Sequence, residues 1–425
     1  MRLFLTFAFG LFLMTATAQP TPAPKQQNSI LILGGTVHVG NSEVIENAAV
    51  GFVNGKITFV GKRDAMNTAS WGEVIVADGM HVYPGFIAPN STLGLTEIDA
   101  VRATRDFYET GTFKPNVRAV IAYNTDNEIT PTVRTNGVLL GQITPRGGVV
   151  SGTSGIVQFD AWNWEDAAVV MADGIHLNWP ETHHRHWADG RVELKKQKNY
   201  DQQLREIERY FSEAKAYSSS KSDVIDVKYD AMKGLFDGKL RLYIHATDIR
   251  QITEAVNFKN SMDIEHLVIV GGQDAYLVPE LLKTNNVSVM VERLHSLPRF
   301  EDEDVDLTYR LPKLLQDAGV LFCLENEGDM EAMGTRNLPF YAGTAIGYGL
   351  TYEQAVQSIT LNPAKILGVE DQVGSIEVGK QATLFISSGD ALDMRTNDVT
   401  HAFIDGRRID LDNRQKELYR KFRNK

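Results

Sequence analysis

One cysteine, Cys323, stands in 425 residues, so no intramolecular disulfide can form and stability has to come from a packed core. Positive charge is also in short supply. The formal net charge is -11, which disfavours nucleic acid and anionic membrane surfaces as partners. Long apolar runs are lacking too: the stretch at residues 3–14 falls short of the roughly 18 residues a span requires, and no stop-transfer pattern follows it. Arg2 ahead of that stretch and Ala16-Thr17-Ala18 behind it instead predict a signal peptide, residues 1–18. The expected protein is exported, periplasmic or secreted, begins at Gln19 and has no membrane partner after cleavage.

What is present suits a large globular core, with 43% of the residues hydrophobic. Residues 19–28, rich in proline and glutamine, predict an extended, solvated linker. From Ser29 onward short apolar runs alternate with turns, and Asn54-Gly55 between two such runs is a hairpin signal. A second strand-rich block follows Gly374. Two all-β blocks, 29–83 and 366–410, are therefore expected to form one composite β-sandwich, with a charged tail at 411–425 as a solvated terminal helix. Between them the pattern becomes strand, turn and amphipathic helix, repeated. Such βα units predict a parallel sheet, and the roughly 275 residues available suit a closed (β/α)₈ TIM barrel, assigned to 84–365. Chemistry then belongs at the C-terminal ends of its strands. Cys323, inside Val320-Leu321-Phe322-Cys323-Leu324, is expected to be a buried strand thiol.

Three motifs carry a resemblance. Pro84-Gly85-Phe86-Ile87-Ala88-Pro89-Asn90-Ser91-Thr92-Leu93-Gly94-Leu95 is similar to the PGFID-x-H-x-H-x-G loop of the amidohydrolase superfamily. Thr360-Leu361-Asn362-Pro363-Ala364-Lys365-Ile366-Leu367-Gly368 and Gly374-Ser375-Ile376-Glu377-Val378-Gly379-Lys380 resemble the segment that carries such a barrel back into its β-sandwich. Arg336-Asn337-Leu338-Pro339-Phe340 and Gly347-Tyr348-Gly349-Leu350 look most like the imidazolonepropionase-like members. The resemblance implies hydrolysis of a non-peptide carbon–nitrogen bond in a small molecule by metal-activated water. Its ligand set is two histidines after strand 1, often a lysine or glutamate on strand 4, histidines on strands 5 and 6, and an aspartate on strand 8.

Set against that ligand set, the chain departs at several places. Asn90 and Thr92 hold the strand 1 histidine positions, and neither an amide nor a hydroxyl is a good zinc ligand. His245 matches the strand 5 histidine, as a catalytic residue and metal ligand or as a hydrogen-bonding group in the barrel mouth. His266 precedes its apolar run and is expected at the opposite end, leaving Gly271 or Gly272 at the ligand position. His176 reads as part of a strand leading out of the early barrel. On strand 8, Asp329 is the first candidate for the catalytic acid and Glu327 the second. Either could act as general base or cap the next helix. Asn90, Thr92, Arg146, His295 and Arg336 are candidate substrate contacts, with Arg146 and the segment 151–155 read as a glycine-rich loop. His183-His184-Arg185-His186 reads as a polar loop with adventitious metal affinity.

Two functions follow as expectations. One is an exported amidohydrolase-type enzyme with an atypical metal site, holding at most one divalent ion such as zinc, or none. The other is a catalytically inactive pseudoenzyme that binds a small ligand or pairs with an active relative. Self-association stays open in both.

Overall fold

The computed structural model describes residues 22–188, 191–220, 224–423 and 425, so the expected signal peptide lies outside the described residues. Eight strands form one sheet curled into a barrel: β1 (Phe86–Ser91), β2 (Val138–Ile143), β3 (Val150–Gln158), β4 (Ala168–Asn178), β5 (Arg241–Ala246), β6 (Leu267–Gly271), β7 (Ser288–Val291) and β8 (Phe322–Leu324). The near-continuous apolar character of β6 to β8 fits a wall whose faces are both covered. The remaining seam, between β8 and β1, is spanned by residues 359–362. Ile87 N–H donates to the Ile359 carbonyl at 2.9 Å, and Asn362 Nδ2 donates to the Phe322 carbonyl at 2.9 Å. Asn362 belongs to the motif that returns the chain to the sandwich.

The βα rhythm predicts a wholly parallel sheet, and the structure departs from that at one strand. β3 runs antiparallel to both β2 and β4, while β1 pairs parallel with β2 and β4 to β8 all pair parallel. The segment 151–155, expected as a loop, lies inside β3. Its hydroxyls therefore project from a barrel stave. The loop from β2 to β3 is consequently a hairpin at the barrel mouth, and Arg146 rides on it.

The two terminal β-blocks pack as expected. A four-stranded sheet contains Ile30–Leu33 and Ala48–Val53, and a six-stranded sheet contains His81–Pro84, Leu384–Ser387 and Val399–Ile404. They enclose Ile32, Val50, Phe52, Val82, Leu384 and Phe403. Asn54 and Gly55 take φ values of 49° and 79°, the left-handed pair that a tight hairpin requires. Residues 22–28 are irregular but held in place, contrary to a freely solvated linker. Ala23 N–H donates to Asp160 Oδ2 at 2.9 Å, and Gln26 Oε1 accepts from Gly55 N–H at 2.8 Å. His183–Ala188 pairs antiparallel with Arg191–Lys196, so the histidine-rich segment is a β-hairpin rather than a loop. Helix Arg414–Phe422 buries none of its residues. Among the described residues no helix is long and apolar enough to cross a membrane.

Candidate functional site

Strand ends at the barrel mouth bring one polar cluster together. A register irregularity between Ala88 and Ser91 and a φ of 50° at Asn90 turn the Asn90 side chain inward. Asparagine tolerates that left-handed backbone better than most residues. Asn90 Oδ1 accepts from Arg146 Nη1 at 2.8 Å, and the Asn90 carbonyl accepts from Arg146 Nη2 at 2.8 Å. The same Nη2 meets Glu331 Oε1 at 2.9 Å, while Asn90 Nδ2 donates to Glu327 Oε2 at 2.7 Å. Thr92 is buried beside Glu331. Both strand 1 substitutions are thus tied to the Arg146 and Glu331 pair.

His245 falls at the end of β5, as placed from the sequence. Its Nδ1 faces Glu327 Oε2 at 3.4 Å and its Nε2 lies 3.0 Å from His176 Nδ1. From His176 the contacts descend into the barrel. Nε2 of His176 lies 2.9 Å from Ser154 Oγ, and Ser154 donates to Asp173 Oδ1 at 2.6 Å. Asp173 Oδ2 also accepts from Gln142 Nε2 at 2.8 Å and from Tyr243 O–H at 2.6 Å. The Tyr243 ring stacks on His176 with centroids 4.6 Å apart, which fixes the imidazole plane.

This chain of contacts can be filled with protons in two ways. In one, Asp173 is a carboxylate, Ser154 donates to it, His176 donates through Nε2, and His245 carries protons on both nitrogens. In the other, Asp173 is protonated and every link reverses, leaving His245 neutral with Nδ1–H aimed at Glu327. The two states hold the same number of protons and differ by one hop per link. The arrangement can therefore pass a proton between the mouth and the barrel interior.

The carboxyl groups at β8 are pushed apart electrostatically. Burial, then the charge of Glu327, raises Glu325 well above the ordinary carboxylate range. Burial opposes ionisation of Glu327 too, but Arg146 and then His245 outweigh it and hold that carboxyl far below the usual range. Burial raises Glu331, and burial followed by Glu327 raises Glu292. Burial works against the Arg146 charge, but Glu331, Glu327 and Glu325 together more than restore it. Burial, then His245, pushes His176 well down, and burial raises Asp173. Neighbouring carboxyls with opposed shifts are the usual mark of an acid and base pair.

Other candidates lie elsewhere. Asp329 is exposed, and it is its backbone carbonyl that meets Arg293 Nη2, at 2.9 Å; the acids that reach the cluster are Glu325, Glu327 and Glu331. A loop in place of continuing strand after Leu324 sets that register. His295 is exposed and pairs with Thr344 Oγ1 at 2.7 Å. The Arg336 guanidinium contacts Met333 Sδ at 3.7 Å rather than the cluster. His266 precedes β6 at the opposite barrel end, and β6 finishes in Gly271, as read from the sequence. His176, read as leading out of the barrel, is instead a residue of β4 inside the cluster. The alternation Gly174-Ile175-His176-Leu177-Asn178, with a histidine near a strand's C-terminal end, was the signal available.

The residues do not fit a divalent metal. A guanidinium already occupies the acceptors of Asn90 and Glu331, the two imidazoles face each other, and among the described residues no group of three or more His, Cys, Asp or Glu could hold an ion.

Comparison with known proteins gives one answer. The family described as Amidohydrolase family matches residues 225–409. The amidohydrolase tasK of Hapsidospora irregularis is 22% identical over 187 residues, 43% of this chain and 18% of that protein. An imidazolonepropionase of Micrococcus luteus is 37% identical over 86 residues, 19% of this chain and 21% of that protein. The chain thus spans about a fifth of the length of these curated relatives. An amidohydrolase from Thermotoga maritima MSB8 matches with a TM-score of 0.77 and 26% identity, covering 90% of this chain and 99% of that one. An adenosine deaminase from Xanthomonas campestris with bound Zn, at 15% identity and a TM-score of 0.53, shares the fold over 95% of this chain and 98% of its own. Barrel, composite sandwich, motif order and these matches agree in likening the chain to the amidohydrolase superfamily, over residues 225–409 by sequence and over 90% of the chain by fold.

Proposed function

We propose that the protein is an exported hydrolase that cleaves a non-peptide carbon–nitrogen bond in a small molecule, with Glu327 and His245 handling the protons. The observation that carries this reading is their contact at the mouth, where the Glu327 side chain is 32% exposed and that of His245 14%. An ionised carboxylate is acceptor-only; Glu327, held far below the usual range, orients an attacking water and is too weak a base to keep its proton, which it can only relay to His245. His245 lies within reach to share that proton and return it to the leaving nitrogen. The links through His176 and Ser154 to Asp173 give the imidazole a second route for it. No step runs through a metal, because the residues at the strand ends do not form a site for one.

Cyclic amides and N-acyl compounds are the substrates to screen. E327Q and H245N are expected to lower kcat by about 10²–10⁴-fold while activity resists chelators. Unchanged turnover in both variants, or activity abolished by chelation, overturns this reading. The cross-linked Asn90, Arg146 and Glu331 favour a second one, a ligand-binding pseudoenzyme. Its signature is small-molecule binding, lost in E327Q, without turnover in the same screen.

A further inference from the structure

We infer that Arg146 is the resident cation of this barrel, its guanidinium taking over the charge-balancing place that a divalent metal would otherwise claim. The inference stands apart from turnover, since it concerns what the mouth binds. Four observations converge on it. Of the two positions that resemble metal-ligand sites, Asn90 is bound to Arg146, which pairs with Glu331, and Thr92 is buried beside Glu331. Glu331 and Asn90 Oδ1 sit 2.9 Å and 2.8 Å from guanidinium nitrogens, and Glu327 Oε1 lies 3.9 Å from Nε, so oxygen acceptors surround one planar cation. The Nε–H is buried without a hydrogen-bond partner, which is how a cation looks when held by surrounding charge rather than by a full set of directed bonds. Finally, Arg146 arrives on the hairpin that the reversed β3 creates, from outside the strand ends that carry the resemblance to metal ligands.

Physical chemistry makes the substitution self-consistent. Glu325, Glu327, Glu331 and Glu292 crowd one mouth, and without a cation their mutual repulsion would drive them to bind protons or a metal. A guanidinium differs from a metal ion in two ways: it carries a single positive charge, and it is covalently attached, so it cannot be removed by chelation. It also fills space that a hydrated ion would require. The wild-type mouth is therefore closed to divalent cations by a monovalent one that is part of the chain.

The test is Mn²⁺ binding, followed by loss of the free-ion electron paramagnetic resonance signal. Mn²⁺ prefers oxygen ligands, which keeps the histidine-rich hairpin at 183–186 from dominating the readout. Wild type and R146K, which keeps the charge, are expected to bind no stoichiometric Mn²⁺. R146A exposes Glu327, Glu331 and Asn90 Oδ1 together and is expected to bind one equivalent, at least about tenfold more tightly than wild type. The double variant R146A/E331Q should lose that gain. One equivalent bound by wild type and lost in E327Q overturns the inference, as does a folded R146A with no gain. Should R146A fail to fold, wild type and R146K still decide: tight Mn²⁺ binding by either overturns it, and none by both supports it.

Discussion

Glu325 is enclosed at 1% exposure, and one of its oxygens has no hydrogen-bond partner. Its raised pKa makes the folded state favour the protonated acid. That contribution is complete below the ordinary carboxylate range and is lost as pH climbs through the raised value. Glu327 acts in the opposite sense: its stabilisation is present above the ordinary range and disappears only in strong acid. Gln at 325 fixes the neutral form. E325Q is expected to melt with wild type near pH 4 and about 2 °C or more above it near pH 8, measured by calorimetry at both pH values. Equal differences at the two pH values would remove Glu325 as the source. At this scale the sequence exposed His245, Arg146, Asn90 and Thr92 but put Asp329 ahead of Glu327. One chain of alternating acids does not say where a strand stops, and here β8 ends early, at Leu324.

Among the elements, most of the barrel was legible because strand and helix periods are written in apolar spacing. β3 was not. Ser151-Gly152-Thr153-Ser154-Gly155 has turn-forming residues, and only its pairing with β2 and β4 makes it a strand. Small side chains there answer to crowding rather than to turning. Gly174 on β4 is a similar case: a methyl group at that position would come within 2.3 Å of Tyr243 Cε2 and 2.4 Å of the Arg241 carbonyl. Tyr243 holds His176 flat and donates to Asp173, so crowding it disturbs the proton path as well as the packing. G174A is expected to lose about 1–3 kcal/mol in urea denaturation, with a secondary-structure content like that of wild type. A loss below 0.5 kcal/mol, within the usual range for uncrowded positions, would mean the ring can move aside.

Across the whole molecule, Asp160 joins parts that the sequence reading kept separate. It lies just beyond β3, at the barrel end away from the mouth, with its side chain 5% exposed. Oδ1 meets Arg134 at 2.8 Å, and Oδ2 meets Arg407 of the sandwich at 2.8 Å as well as the Ala23 amide. Removing one partner from a buried ionic group leaves the other charges unmatched, which is where such pairs matter most. D160N is expected to destabilise the protein by about 3 kcal/mol and to expose the bonds near residues 22–28 to trypsin. Undiminished stability would show that the hold of the sandwich on the barrel does not depend on this carboxylate. Salt links of this kind leave little trace in a sequence, because Arg134, Asp160, Arg407 and Ala23 lie in four unrelated stretches.

Cys323 sits inside β8, wholly enclosed, next but one to Glu325. It is the chain's lone sulfhydryl, and burial pushes its thiol well above the usual range. Any reagent that marks it must wait for the barrel wall to part. The stave that presents Glu325 and Glu327 thus carries its own timepiece, one that counts openings of the site without knowing the substrate.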